Sequence, residues 1–514
     1  MIRKIIFFLF VFLNANQLSS QTSFGDSTVL PSAQFDLIST YIAQFPDQTQ
    51  LSIAIINNEN VHFVGLQKTG NQLISVDNKD SVFEIGSITK IFTSAILSGL
   101  VQDSILRLDD SIDGILPIKL KESSKHDIPI TYKTLANHTS GLPFEADNIE
   151  ISVQKNPHSP YAEYSYDLFD DYLTNSMKLH SIPGQKFQYS NLGYGLLGYL
   201  LESKTDTEYE SLVQELVFNR YNMNHSSSDY IKVEELVVKG LDSIGKVMPY
   251  WFCNSLKASG GILSNVMDLS KFMIANFSSD SILDLQRKVT FSNMNNHVAL
   301  GWEMFEIGGS ACSINWYHKT GGMGGYSSAI VMDINTRIGV VLLSNISSYH
   351  KNENTLQLGV DILKQVFISD LEDEQNECNA PFLELALING WGTHLNEQIA
   401  ARVSDKSTIE GVWEKPSVMR TNIGIQTTTR TFLPDGKVQS DFMGDPQIDV
   451  WGYYKLYDDE IIFEDVGGNA CKAIGKYTFS IENDKLIFKL VEDSCEGRVQ
   501  GLSGAWIRKS KIEK

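Results

Sequence analysis

The chain has 514 residues, 42% of them hydrophobic and 20% charged, enough apolar material for two or three domains with buried cores. Its formal net charge of −20 repels phosphate backbones, which excludes nucleic acid as a partner and argues against a polybasic role at a membrane surface.

Residues 1–20 read as a secretory signal. Arg3 and Lys4 form a basic start, and Ile5–Leu13 is a nine-residue apolar run. That run is too short to cross a bilayer, which needs about 20 residues. No cysteine near the cut site suggests a lipid anchor, and no later run is long and apolar enough to span. The expectation is a secreted or periplasmic protein with no integral membrane span once the signal is removed.

Helical spacing covers about 31–46. "LSIAIINN" (51–58) and "NVHFVGLQ" (60–67) read as a strand pair turning near Glu59. Apolar residues Ile88, Ile91, Phe92, Ala95, Ile96 and Leu100 then recur at helical period across 88–101. At the head of that helix, "FEIGSITKIF" (83–92) holds Ser87 and Lys90. A serine hydroxyl is a weak nucleophile until a neighbour takes its proton, and residues at i and i+3 share a helix face. A helix start and burial both depress a lysine pKa, and the free N–H groups there can hold an oxyanion. The spacing alone selects nothing, because S-x-x-K also occurs at Ser152/Lys155, Ser243/Lys246 and Ser348/Lys351. Only the copy at Ser87 combines a Gly-Ser entry with a clear amphipathic helix.

Further along, "PGQKFQYSN" (183–191) carries the one Y-x-N of the chain, Tyr189-Ser190-Asn191, ahead of a helix expected at 192–203. A tyrosine between lysines can act as a general base. "YHKTGGMGGYSS" (317–328) carries Lys319, Thr320, Gly321 and Gly322 into a hairpin at 327–345 that turns at "DINTR". A strand with Lys-Thr-Gly offers a cation and a hydroxyl to a substrate carboxylate, and glycines allow close backbone approach. A second Lys-Thr-Gly at 68–70 lies in a surface-like turn. Helical spacing returns at 355–367, followed by the acidic stretch "SDLEDEQNECNA" (369–380), which suits a boundary.

Beyond about 405, short strand-like runs alternate with "DG", "DD" and "ND" turns, indicating a small all-β barrel. The expected layout is a signal at 1–20, a first domain at 21–370, a linker at 371–404 and a barrel domain at 405–514. Of five cysteines, Cys471 and Cys495 lie 24 apart and are the preferred disulfide pair, with free buried thiols as the alternative. Such a link would stabilise by about 3 kcal/mol on the chain-entropy model. No cysteine or histidine spacing matches a metal or haem site, so no metal and no other cofactor is expected.

The ordered set Ser87/Lys90, Tyr189/Asn191 and Lys319/Thr320/Gly321 resembles the serine β-lactamase and penicillin-binding protein superfamily. The nearest likeness is to class C β-lactamases and their esterase, DD-carboxypeptidase and D-aminopeptidase relatives. "LRLDDSIDGILP" (106–117), "ITYKTLANHTSGLP" (130–143), "ASGGILSNVMDLSKF" (258–272), "LGWEMF" (300–305) and "GVVLLSN" (339–345) are similar to the family's segments in the family's order, so the likeness covers about 30–370. It implies an α/β fold, an antiparallel sheet flanked by helices beside an all-helical part, with the site between them. It also implies acylation of Ser87, proton transfer shared by Lys90 and Tyr189, and contact of Asn191 with Lys90 and a substrate amide. Lys319 and Thr320 would hold the electrostatics and a substrate carboxylate, and the N–H groups of Ser87 and Gly322 would form the oxyanion hole. His138 would be structural and His318 supporting. Met323 and Asn137 depart from the usual pattern, which touches substrate preference. The C-terminal region resembles lipocalin-like domains through "GVW" (411–413) and "DSCEGRVQGLSGAW" (493–506). It is expected to pack and shape access, with binding of an apolar ligand as the alternative.

The resulting expectation is an exported serine hydrolase acting on a small ester, a D-amino-acid peptide or amide, or a β-lactam. The rival expectation is a binding module with a retired site. The sequence leaves oligomeric state open.

Overall fold

The computed structural model describes residues 32–293, 296–309 and 312–371, and most of 409–510. The expected signal and linker, with Cys378 and Cys471, lie outside the described residues.

Nine antiparallel strands form the main sheet: β1 (Gln50–Asn57), β2 (Asn60–Thr69), β3 (Gln72–Ser75), β4 (Phe291–Ser292), β5 (His297–Val298), β6 (Glu303–Gly309), β7 (Cys312–Gly322), β8 (Ser327–Asp333) and β9 (Ile338–Ser344). Their order across the sheet is β3-β2-β1-β9-β8-β7-β6-β5-β4. The first strand therefore pairs with the last, with Leu51 opposite Ser344 and Ile55 opposite Val340. Every residue of β8 and β9 is buried, which explains why both read as continuous apolar runs without a polar alternation.

The period of two sorts side chains between two cores. Ile53, Ile55, Val340 and Leu342 face α1 (Ser32–Ile42) and the C-terminal helix Thr355–Leu371. Ala54, Ile56, Val341 and Leu343 face the larger helical layer. That layer is built around α2 (Thr89–Gln102), whose residues Thr89–Leu100 are all buried. Beside α2 pack α3 (Asn191–Thr205) and α4 (Val266–Asn276). This helix is buried on every side, polar residues Lys90, Thr93, Ser94 and Ser98 included, and it sets the turn of Ser87 at its head.

The strand pair at 51–67, the helices at 88–101 and 192–203, and the hairpin at 327–345 match the sequence expectations. The C-terminal helix runs to Leu371, so the acidic stretch expected as a boundary starts inside its last turn.

Eight strands from Gly411–Thr421 to Ala505–Ser510 close into an antiparallel barrel, first strand pairing with last. Among the described residues its interior is filled by Trp413, Phe432, Tyr454, Phe463, Tyr477 and Trp506. A small barrel plugged by its own aromatics is a packed core, which speaks against the alternative of an apolar ligand held inside it. Cys495 is disulfide-bonded. The expected partner Cys471 falls outside the described residues.

Phe92 is fully buried between Phe218 (5.7 Å) and Phe272 (4.8 Å). Phe92→Ala is expected to cost about 3–5 kcal/mol, read from the denaturant midpoint of the first cooperative transition. A loss below about 1 kcal/mol would contradict this packing.

Candidate active site

Ser87 lies in a 3-10 turn, Gly86–Ile88, that runs directly into α2 and carries Lys90 one residue beyond the helix start. Gly86 has φ +50°, a left-handed conformation that glycine adopts without penalty. A Cβ there would stand 2.7 Å from the Gly322 nitrogen, and one on Gly321 would stand 1.9 Å from the Ile85 carbonyl oxygen. These contacts pin the end of β7 against the serine turn. The Ser328 hydroxyl adds a 3.0 Å bond to the same Ile85 carbonyl.

Tyr189 and Asn191 come from the entry to α3. Ser190 caps that helix, accepting from the Gly193 N–H at 2.8 Å and donating to the Pro143 carbonyl at 2.5 Å. The Asn191 and Leu192 N–H groups bond the Phe144 carbonyl. His138 accepts the Ser190 N–H at its Nδ1 (3.2 Å), and its ring lies 4.2 Å from that of Tyr189. Burial, with the charges of Lys319 and Lys90, holds His138 far below the usual histidine range and therefore neutral. Its place is structural, as expected.

Two side chains from separate elements converge on one oxygen. Tyr189 donates to Ser87 Oγ at 2.7 Å and Lys90 Nζ reaches it at 3.0 Å. Lys90 Nζ also meets Asn191 Oδ1 at 2.8 Å and the Ser259 carbonyl at 2.7 Å, so its three donor positions have three acceptors. Burial is the largest influence on Lys90 and pushes its pKa down, with Lys319 acting in the same direction against Tyr189. For Tyr189, burial pushes up, but the charges of Lys90 and Lys319 outweigh it and the phenol lies below its ordinary value. The two ammonium groups stand 4.9 and 4.8 Å from the Tyr189 ring centroid. The set can take the Ser87 proton and hold the resulting charge.

Lys319 is present but sealed. It is 1% exposed and bonded to Glu303 Oε1 at 2.8 Å. Burial lowers its pKa, but Glu303 overcomes that and raises it. In turn, burial pushes Glu303 up while Lys319 and His318 pull it down to about 2. The Lys319 charge, expected to meet a substrate carboxylate, already has a carboxylate partner in Glu303. Thr320 is exposed and makes no side-chain hydrogen bond among the described residues. His318 stacks on Phe305 at 3.9 Å. Asn137 is buried, bonding Thr290 and Thr139 away from the nucleophile. Met323 lines the cleft. Two of the bland motif copies sit elsewhere, Lys68 bonding the Phe45 carbonyl and Ser152 accepting the Glu163 N–H, whereas Ser348 lies beside the cleft and donates to the Met323 carbonyl at 3.3 Å.

Three contributors escaped the sequence reading. Glu303 lay inside "LGWEMF" with no role assigned, and its partner follows only from strand register. The Ser259 carbonyl is backbone, which no residue type reveals. Glu145 follows directly on the "SGLPF" loop that clamps Asn191 and lies in the wall of the cleft. That cleft holds about 350 Å³ over Ser87.

The Beta-lactamase family model matches residues 38–361. A beta-lactamase of Pseudomonas fluorescens is 23% identical over 367 residues, 62% of this chain and 92% of the relative. Protein flp of Staphylococcus aureus (strain NCTC 8325 / PS 47) is 23% identical over 324 residues, 58% of this chain, which spans only 60% of that relative. Among solved structures, the octameric penicillin-binding protein homologue from Pyrococcus abyssi superposes with a TM-score of 0.56 at 22% identity, covering 90% of this chain and 98% of its own. At that identity it speaks for the fold. The family match spans more than half of the chain and encloses Ser87, Lys90, Tyr189 and Lys319, and on that ground the chain belongs to the beta-lactamase family.

Proposed function

We propose that this protein is an exported serine hydrolase that forms an acyl-enzyme on Ser87 with a small-molecule or short-peptide substrate. The observation that carries the reading is the double approach to Ser87 Oγ, by Tyr189 OH at 2.7 Å and Lys90 Nζ at 3.0 Å. Tyr189 as phenolate takes the Ser87 proton while Oγ attacks the substrate carbonyl. Lys90 and Lys319 stabilise that phenolate. The backbone N–H groups of Ser87 and Gly322 receive the oxyanion, and losing one such donor typically costs a factor of about 100–1000 in rate. Tyr189 then returns its proton to the leaving group, and water releases the acyl group by the reverse route. Asn191 fixes Lys90 and meets the substrate amide. Among substrates, a general ester or D-amino-acid peptide or amide ranks above a β-lactam, since Met323 lines the cleft directly after Gly322 and Lys319 is already paired. A retired binding module would be expected to have lost part of this constellation, and here every motif residue is in place. The lead segment 1–20 supports export, and no helix among the described residues is long and apolar enough to cross a membrane.

A fluorophosphonate probe should add one adduct to the wild-type chain by intact mass and none to Ser87→Ala. No wild-type adduct, or an undiminished one in the variant, counts against the hydrolase reading. Tyr189→Phe should lower kcat/KM by a factor of about 100–10,000. Because Tyr189 works deprotonated, kcat/KM should rise with pH through its depressed pKa. Lys319→Met removes a charge that depresses it, so the rising limb should move to higher pH on an ester without a carboxylate. A limb that stays in place would remove Tyr189 as the base.

A further inference from the structure

The cleft over Ser87 is walled by aromatic and apolar side chains, including Phe144, Tyr161, Trp251, Met323 and Tyr349. Among the described residues that line it, Glu145 is the one Asp, Glu, Lys or Arg. Neither Lys90 nor Lys319 contributes to the wall, the first being fully buried and the second paired with Glu303. Glu145 is itself half-buried. Its Oε1 accepts the Tyr161 hydroxyl and stands 3.5 Å from Asn191 Nδ2, while Oε2 has no hydrogen-bond partner among the described residues. The Tyr161 and Trp251 rings meet edge to face at 5.7 Å, which fixes the aromatic side of the wall.

From this arrangement we infer that the site selects a substrate whose acyl part carries an ammonium group, held by Glu145 Oε2 within the aromatic wall. The inference rests on the hydrolase reading above and names its substrate class. A cation entering this cleft meets a carboxylate with free acceptor capacity and several aromatic rings, the two groups that favour ammonium in a partly desolvated site. A substrate carboxylate at the same place would meet a like charge with no lysine or arginine in the wall to offset it. Position follows from the hydrogen-bonded series Ser87–Lys90–Asn191–Glu145. Asn191, which the proposed reading sets against the acyl amide, is the direct neighbour of Glu145, so the ammonium belongs close to the scissile carbonyl.

The test uses the full-length protein and matched D-alanyl and N-acetyl-D-alanyl esters and anilides, near neutral pH where the free amine is protonated. The wild type should prefer the ammonium member of each hydrolysed pair by about tenfold or more in kcat/KM, a difference of about 1.4 kcal/mol. Glu145→Gln should bring that ratio close to one, and Glu145→Asp should retain part of it. A readout that needs no variant is competition: D-alaninamide should inhibit wild-type ester hydrolysis at about tenfold lower concentration than N-acetyl-D-alaninamide. A wild-type ratio of one or below, equal inhibition by the two amides, or a ratio unmoved in Glu145→Gln overturns the ammonium reading alone, provided that hydrolysis depends on Ser87. Absence of any Ser87-dependent hydrolysis or fluorophosphonate adduct overturns the hydrolase reading and this one with it.

Discussion

Two lysine ammonium groups press on one phenol, and the rest of the site is arranged to make that bearable. Lys90 and Lys319 stand within 5 Å of the Tyr189 ring centroid, both buried. Buried cations are costly unless each is paired or fully hydrogen-bonded. The protein answers differently for the two. Lys90 receives three oxygen acceptors, from Ser87, Asn191 and Ser259, and keeps a depressed pKa. Lys319 receives a carboxylate, Glu303, and keeps a raised one. The two charges are thereby held differently, Lys90 by neutral oxygens and Lys319 by a carboxylate. Tyr189 gains from both, and its pKa falls in spite of burial.

That electrostatic arrangement depends on backbone approach. The lysines arrive from α2 and β7, elements more than two hundred residues apart in the chain, and they meet because glycines at 86 and 321 let the serine turn and the strand touch. The sheet closes the distance further. β1 pairs with β9, and the Gln50 N–H donates to Asn345 Oδ1 at 2.6 Å across 295 residues. The helical layer supplies the third edge through the Ser190 cap and the 138–145 loop, which fix Tyr189 before any substrate arrives. Ser87, Lys90, Tyr189 and the cleft wall are thus preorganised by separate segments.

Much of this was legible in the sequence where chemistry is local. The i, i+3 relation of Ser87 and Lys90, the capped Tyr-Ser-Asn entry and the strand bearing Lys-Thr-Gly are short-range patterns, and the helices and hairpins around them follow from periodicity. Pairings across long distances were not legible. Glu303 reaches Lys319 only because β6 and β7 adopt one particular register, which places Glu303 opposite His318. Lys319 therefore reads as an open cation in the sequence and is a satisfied one in the fold. Glu145 was hidden for a similar reason: its proximity to Asn191 depends on the loop folding back over α3. The order of strands in the sheet is likewise a tertiary fact, as is the packing that fills the barrel with its own aromatics.

The central claim is that two buried lysines depress the Tyr189 phenol, and the most direct measurement is its own titration. Ultraviolet difference titration of the wild-type protein against Tyr189→Phe isolates this one phenol from the chain's other tyrosines. The account predicts a phenolate forming below the ordinary tyrosine pKa, and moving upward when Lys90 or Lys319 is replaced by methionine. A Tyr189 phenol that titrates at or above the ordinary value, unmoved by either substitution, would contradict it.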